Sequence, residues 1–202
     1  MKQTLRIAIL LTFACAALGA FSNFAQAQKL DLAFGLSTVE APSASSANGV
    51  DHQPVSLTGG TYPGISGDVL FFHHLGLGGE IYWKANRGDY LNTGLPYRPL
   101  FYDVNAVYSP KLASHTYLEL VGGIGALSTR FYCSSVCTYQ GTNYQDSNHF
   151  MADFGAGLKF YPKGNFFIRP EARLYLVNNN LDYSSPRVTR YGLSIGYTFG
   201  GR

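Results

Sequence analysis

Arg169, Glu171 and Arg173 alternate with apolar residues in the stretch FFIRPEARLYLV, Phe166 to Val177. As a strand, it puts Phe166, Ile168, Pro170, Ala172, Leu174 and Leu176 on one face and the charged row on the other. Other charged residues are embedded in similar alternating stretches: Asp68, Glu80, Asp103, Glu119 and Asp153 against Lys84, Lys159 and Arg190. Paired carboxylates can act as general acid and base. A set of mixed sign can instead neutralise itself as an ion-pair network, which is what buried charges require. The network is the stronger reading. It makes Glu171, flanked by two arginines, the expected hub, with other acids taking the remaining guanidinium donors.

Three further groups invite chemistry. His149 with Glu171 and a nearby serine has the residue types of a hydrolytic triad, but no nucleophile–base–orienter arrangement can be read from the spacing. Cys133-Ser-Ser-Val-Cys137 is one CxxxC pair among five scattered histidines, too little for a zinc site. Export through an oxidising compartment points instead to a local Cys133–Cys137 disulfide at a loop tip, with two free thiols as the alternative. The clusters Gly76-Leu-Gly78-Gly79 and Gly122-Gly123-Ile-Gly125 lie inside strand patterns, with no helix following to make a phosphate loop. No motif calls for a cofactor or a metal.

The elements that position these residues follow a leader. Lys2 and Arg6, the apolar run Ile7 to Ala20 and the small-residue site Ala25-Gln26-Ala27 have the pattern of a signal peptide over residues 1–27, leaving 28–202 as one domain. Losing Lys2 and Arg6 takes the formal charge from +3 to +1, which gives no support for nucleic-acid binding. Only 13% of the 202 residues are charged, against the ~25% of an average soluble domain. Aromatic residues reach 15% and glycine numbers 23, a poor composition for a water-facing surface. After the leader, no run is apolar long enough for a membrane helix.

Eight alternating segments follow: about 30–39, 62–72, 75–86, 100–108, 116–129, 149–160, 166–177 and 188–199. The connectors alternate too. Short turns lie near His73-His74, Ser109 to Ser114 and Pro162 to Asn165; longer polar ones span Ala41 to Gly60, Arg87 to Pro99, Arg130 to Ser147 and Asn178 to Arg187. Short turns at one end and long loops at the other describe an eight-stranded antiparallel up-and-down transmembrane β-barrel, an all-β fold.

Alternation alone leaves the inner face open. A soluble lipocalin-like barrel would put the charged face in water. Three features favour the opposite register. The polar faces are built of Gly, Ser, Ala and isolated charges, as a narrow eight-stranded lumen requires. Trp83, Tyr102, Tyr108, Phe160, Tyr161, Tyr191, Tyr197 and Phe199 fit two interfacial girdles. A lipid-facing Arg at the midplane would cost roughly 2–4 kcal/mol, so Arg169 and Arg173 belong in the lumen.

The last segment, Arg190-Tyr-Gly-Leu-Ser-Ile-Gly-Tyr-Thr-Phe199, has a polar residue, a glycine two later and alternating hydrophobics ending in an aromatic. In it, and across residues 28–202, the chain resembles the OmpA-type eight-stranded outer-membrane β-barrel family. The resemblance implies residence in a Gram-negative-type outer membrane, contact with its lipid, and insertion by the barrel-assembly machinery. Gly192, Ile195, Tyr197 and Phe199 would then carry the assembly signal. The expected function is structural or surface-interacting, with a monomeric, largely plugged barrel, no catalysis and a possible surface partner at the long loops. A narrow solute channel is the alternative. A lipid A-modifying enzyme is a weaker one, because His149 lacks the closely spaced serine of that group.

Overall fold

The computed structural model describes residues 29–41, 56–72, 74–90, 95–132, 144–178, 183 and 185–200. The leader at 1–27 and both Cys133 and Cys137 lie outside them. The described residues form strands β1 (Lys29–Glu40), β2 (Tyr62–Phe72), β3 (Leu75–Trp83), β4 (Gly88–Tyr90), β5 (Leu95–Tyr108), β6 (Lys111–Ala113), β7 (Thr116–Tyr132), β8 (Tyr144–Lys163), β9 (Phe166–Val177) and β10 (Arg187–Phe199). The strands β4 and β6 are three-residue hairpin extensions on β5 and β7. The other eight are the barrel staves.

Every pairing is antiparallel, and β5 pairs with β7 to join the ends of the strand order β4-β5-β3-β2-β1-β10-β9-β8-β7-β6. The first and last staves pair from Leu30↔Phe199 to Glu40↔Thr189. The sheet is therefore a closed barrel of eight antiparallel staves. Closure leaves no stave with an unpaired edge, the condition for strands to cross a bilayer. At the short-turn end, Gly164 takes φ +57° between β8 and β9. Asn165 ties this turn to β10, donating from Nδ2 to the Thr198 carbonyl at 2.8 Å and accepting from the Thr198 amide at 2.9 Å.

The hydrophobic pattern is inside out. Val104, Ile124, Phe154 and Ile195 are 57–63% exposed, while Arg169 and Arg190 are completely buried. Along the inner face of β9, Phe167, Arg169, Glu171, Arg173, Tyr175 and Val177 run from one aromatic layer to another. At the short-turn end, Phe167 packs with Tyr161, and Tyr161 with Tyr117. Towards the long loops, Tyr175 stacks on Phe101 at 4.9 Å, and Tyr62 meets Phe101 edge-on at 6.0 Å. The charges fill the space between these layers.

Several staves differ in length from their sequence patterns. The fifth strand starts at Leu95 instead of Leu100, β8 starts at Tyr144, and β3 stops at Trp83 rather than Asn86. Tyr161 is also displaced from the expected outer girdle. It is buried in the lumen with its hydroxyl 2.9 Å from Thr198 Oγ1. Phe160 and Tyr161 are adjacent in one strand, so only one of them can face lipid, and Phe160 does.

Candidate functional site

The site is the lumen, and its wall has to be thin before its centre can be filled. A Cβ at Gly35 or Gly64 would collide with Tyr82, and one at Gly155 with Arg173. Glycine at these inward positions makes room for the large side chains that cross the barrel.

Nearest the short turns, Lys159 on β8 reaches Asp31 on β1 at 2.6 Å and Asp68 on β2 at 3.3 Å, and also pairs with Glu119 on β7. One step along the lumen, Arg169 holds Glu119 at 2.7 Å, Glu171 at 3.0 Å and Asp68 at 3.4 Å. Its Nη2 donates to Ser66 Oγ at 2.7 Å, and its Nε, the atom nearest Glu171, donates to Ser194 Oγ at 3.1 Å. Higher up, Arg190 donates from Nη2 to both Glu80 oxygens, at 2.7 and 2.9 Å. Its Nη1 lies 3.1 Å from Glu171, an ionic contact without hydrogen-bond alignment. Arg173 completes the set with Glu80 at 3.1 Å and Asp153 at 3.2 Å.

Aromatic side chains are woven into this network. The Arg190 guanidinium lies 3.5 Å above the Tyr82 ring, and Tyr82 donates to Glu171 at 3.1 Å. Tyr175 donates to Glu80 at 2.8 Å. A continuous path therefore runs Asp31–Lys159–Glu119–Arg169–Glu171–Arg190–Glu80–Arg173–Asp153. Staves β1, β3, β7, β8, β9 and β10 are linked by it, and Asp68 ties in β2 through Lys159 and Arg169.

The residues singled out from sequence fall into this frame unevenly. Asp68, Glu80, Glu119, Asp153, Lys159, Arg169, Glu171, Arg173 and Arg190 converge. Asp103 is buried on β5 but bonds Asn105, at 2.5 Å, and is not ion-paired to a cation among the described contacts. Lys84 lies past the end of β3, outside the network, with its ammonium 5.3 Å from the Tyr97 ring centre. Partial burial there lowers its pKa below the ordinary lysine value. Glu171 takes Arg169 but not Arg173 from its own strand: its second arginine is Arg190, while Arg173 turns to Glu80 and Asp153. Arg173 is met by Asp153 from the neighbouring stave β8 and by Glu80 from β3 across the lumen, while Glu171 is engaged by Arg190.

Sequence reasoning leaves out Asp31, Tyr82 and Tyr175. Alternation already places Asp31 on the lumen face of β1, and that was the available signal. His149 does contact Ser147, at 3.1 Å. Yet Glu171 pairs with Gly157, eight positions further along β8, a separation of roughly 26 Å at ~3.3 Å per residue. These two do not form one catalytic group. In β10, Gly192 opposes Glu171 and Ser37, Ile195 faces outward, and Tyr197 packs edge-on against Phe166 and Phe199 at 5.0 and 4.8 Å.

The family model of the outer membrane protein beta-barrel domain matches residues 11–199. The chain belongs to that family. As an outer membrane beta-barrel protein it resides in the outer membrane, with its apolar belt in lipid and its charged face in the lumen. No curated protein sequence matches the chain. Among solved structures, Ail, the attachment invasion locus protein of Yersinia pestis, is similar at 18% identity and a TM-score of 0.53, covering 85% of this chain and 97% of that one. The N-terminal β-barrel domain of Pseudomonas aeruginosa OprF gives 16% identity, a TM-score of 0.55, and coverage of 86% and 98%. Neisserial surface protein A gives 9%, 0.55, and 84% and 96%. At these identities the likeness is one of fold.

Proposed function

We propose that this protein is a monomeric, non-conducting outer-membrane barrel that presents its long loops to a partner at the cell surface and performs no catalysis. The observation that carries the reading is the continuous buried path from Asp31 to Asp153, capped by the Phe101–Tyr175 layer above and the Tyr161–Phe167 layer below. Moving an ion through it means separating charges that have already lost their water, which costs several kcal/mol per ion. With the lumen closed, the long loops are the part of the molecule able to meet other molecules. Loops set on a rigid scaffold are where binding residues concentrate.

Four supporting steps belong to the same reading. Residues 1–27 are removed after Ala27; the barrel-assembly machinery reads Gly192, Ile195, Tyr197 and Phe199; the lumen network, now counted with Asp31, is structural; and Cys133 and Cys137 form a disulfide in the loop between β7 and β8. The solved structure of Ail holds the heparin analogue sucrose octasulfate. A sulfated polysaccharide is accordingly the first surface ligand to try. Permeation tests the closed lumen. Liposomes carrying the folded protein should swell in small sugars no faster than protein-free ones, and rapid swelling would favour the narrow-channel alternative.

A further inference from the structure

The outer wall carries a feature that the lumen does not explain. Arg98 on β5 and Arg130 on β7 are directly opposed partners in the ladder. Like charges facing each other across strands are destabilising unless something compensates them. They line a depression of about 230 Å³ with Trp83, Leu100, Ser128 and Tyr132. The Arg87 guanidinium lies 3.7 Å over the Tyr132 ring, bringing a third cation to the same rim. Asp146 accepts from Arg130 Nε at 3.2 Å, and Asp89 lies on the β4 hairpin that pairs with Leu95–Tyr97, so three guanidiniums stand against two carboxylates. Arg98 donates to the Ala85 carbonyl at 3.2 Å, but its Nε is buried without a partner.

One outward pair below this cationic rim lies an apolar depression. Trp83 pairs with Leu100, and the next outward pair down the wall is Ile81 with Tyr102. Ile81 and Tyr102 border a second depression of about 710 Å³, together with Leu32 and Ile65. Its floor is set by Gly67 and Gly79, opposed partners on β2 and β3 that leave the wall without side chains at one level. Cation, aromatic interface and apolar groove therefore follow one another down the lipid-facing side of β3 and β5. The long-loop end of the barrel puts the cations at the cell-surface leaflet.

We infer that this track is a binding site for a lipid of that leaflet whose phosphate head carries net negative charge, the head at Arg98 and Arg130 and an acyl chain in the Gly67–Gly79 groove. Charge complementarity selects the head, since the guanidiniums of Arg98 and Arg130 on this rim can hold a phosphate oxygen by charge-assisted hydrogen bonds. Continuity with the lipid-facing belt selects a membrane lipid over a soluble ligand. Trp83, the only tryptophan, lines the head pocket and reports on it.

The test places the folded full-length protein in mixed phosphatidylcholine and phosphatidylglycerol vesicles, with bromine on the chains of one lipid or the other. Brominated phosphatidylglycerol should quench Trp83 with a preference of about fivefold per arginine, and Arg98→Gln with Arg130→Gln should abolish that preference. If the double variant does not fold, as judged by heat-modifiable mobility, Arg98→Gln alone should lose about fivefold. Gly79→Leu should reduce quenching by deeply brominated chains. Equal quenching by both lipids, or a preference that survives loss of the arginines, overturns the site. Excess inorganic phosphate, compared with chloride at the same ionic strength, should change nothing; if it abolishes the preference, the pocket takes a free anion and the lipid assignment fails.

Discussion

Arg190 donates to both oxygens of Glu80, contacts Glu171 and lies flat on Tyr82. Removing one partner from such a buried set strands the others without water. Arg190→Ala should therefore lower unfolding stability by about 3–5 kcal/mol, measured by denaturant titration in detergent micelles. Arg130→Ala, which breaks the half-exposed Arg130–Asp146 pair, should cost no more than ~1 kcal/mol. Equal losses would mean that the lumen is wetter than its packing implies. The large cost does not make the network a net source of stability, since apolar replacement of a whole buried set is often neutral. Its contribution is to fix one arrangement and fill the lumen. At this scale the sequence was partly legible. Alternation put Arg169, Glu171 and Arg173 on one face, but which acid each arginine takes depends on partners across the barrel. A one-dimensional pattern holds no distance across a lumen.

Each stave presents one apolar and one polar row, and β9 and β10 show the consequence most directly. Ile168 and Ile195 oppose one another and both face outward. Ile195→Arg should cost roughly 2–4 kcal/mol near the bilayer midplane, read from refolding into phosphatidylcholine vesicles. A cost near zero would mean that the row is not in lipid. Pro170 shows how a closed barrel accommodates a residue with no amide hydrogen. The β8–β9 ladder runs from Met151↔Val177 to Gly157↔Glu171, is interrupted opposite Pro170, and resumes in the same register at Phe160↔Ile168. The register shift comes later, between Phe160 and Lys163. The proline thus forfeits pairing on one side without displacing the charged row. The span of β9 was readable to the residue because lipid on one side and a packed lumen on the other enforce strict alternation. The starts of β5 and β8 were not. Leu95-Pro-Tyr-Arg-Pro99 carries two prolines, and Tyr144-Gln-Asp-Ser-Asn148 is polar throughout. Beyond the lipid belt, a strand can pair with its neighbour with no apolar face required.

For the molecule as a whole, membrane belt, closed sheet and filled lumen are one structure. A closed barrel of this kind should stay folded in cold sodium dodecyl sulfate and unfold on boiling, giving two gel mobilities. A single mobility in outer-membrane fractions would contradict it. The lumen also has a sign. Lys159, Arg169, Arg173 and Arg190 face Asp31, Asp68, Glu80, Glu119, Asp153 and Glu171, so acids outnumber bases. Arg169→Ala removes the link between Glu119 and Glu171 and should open a leak that prefers cations, detected as a shifted reversal potential across a salt gradient. Anion preference would contradict the charge arrangement. The central claim, that the ion-paired and aromatic layers seal the barrel, is tested most directly by single-channel recording of the unaltered protein in planar bilayers. Current at the level of protein-free membrane is the predicted result; a steady, stepwise conductance from the folded barrel would contradict it.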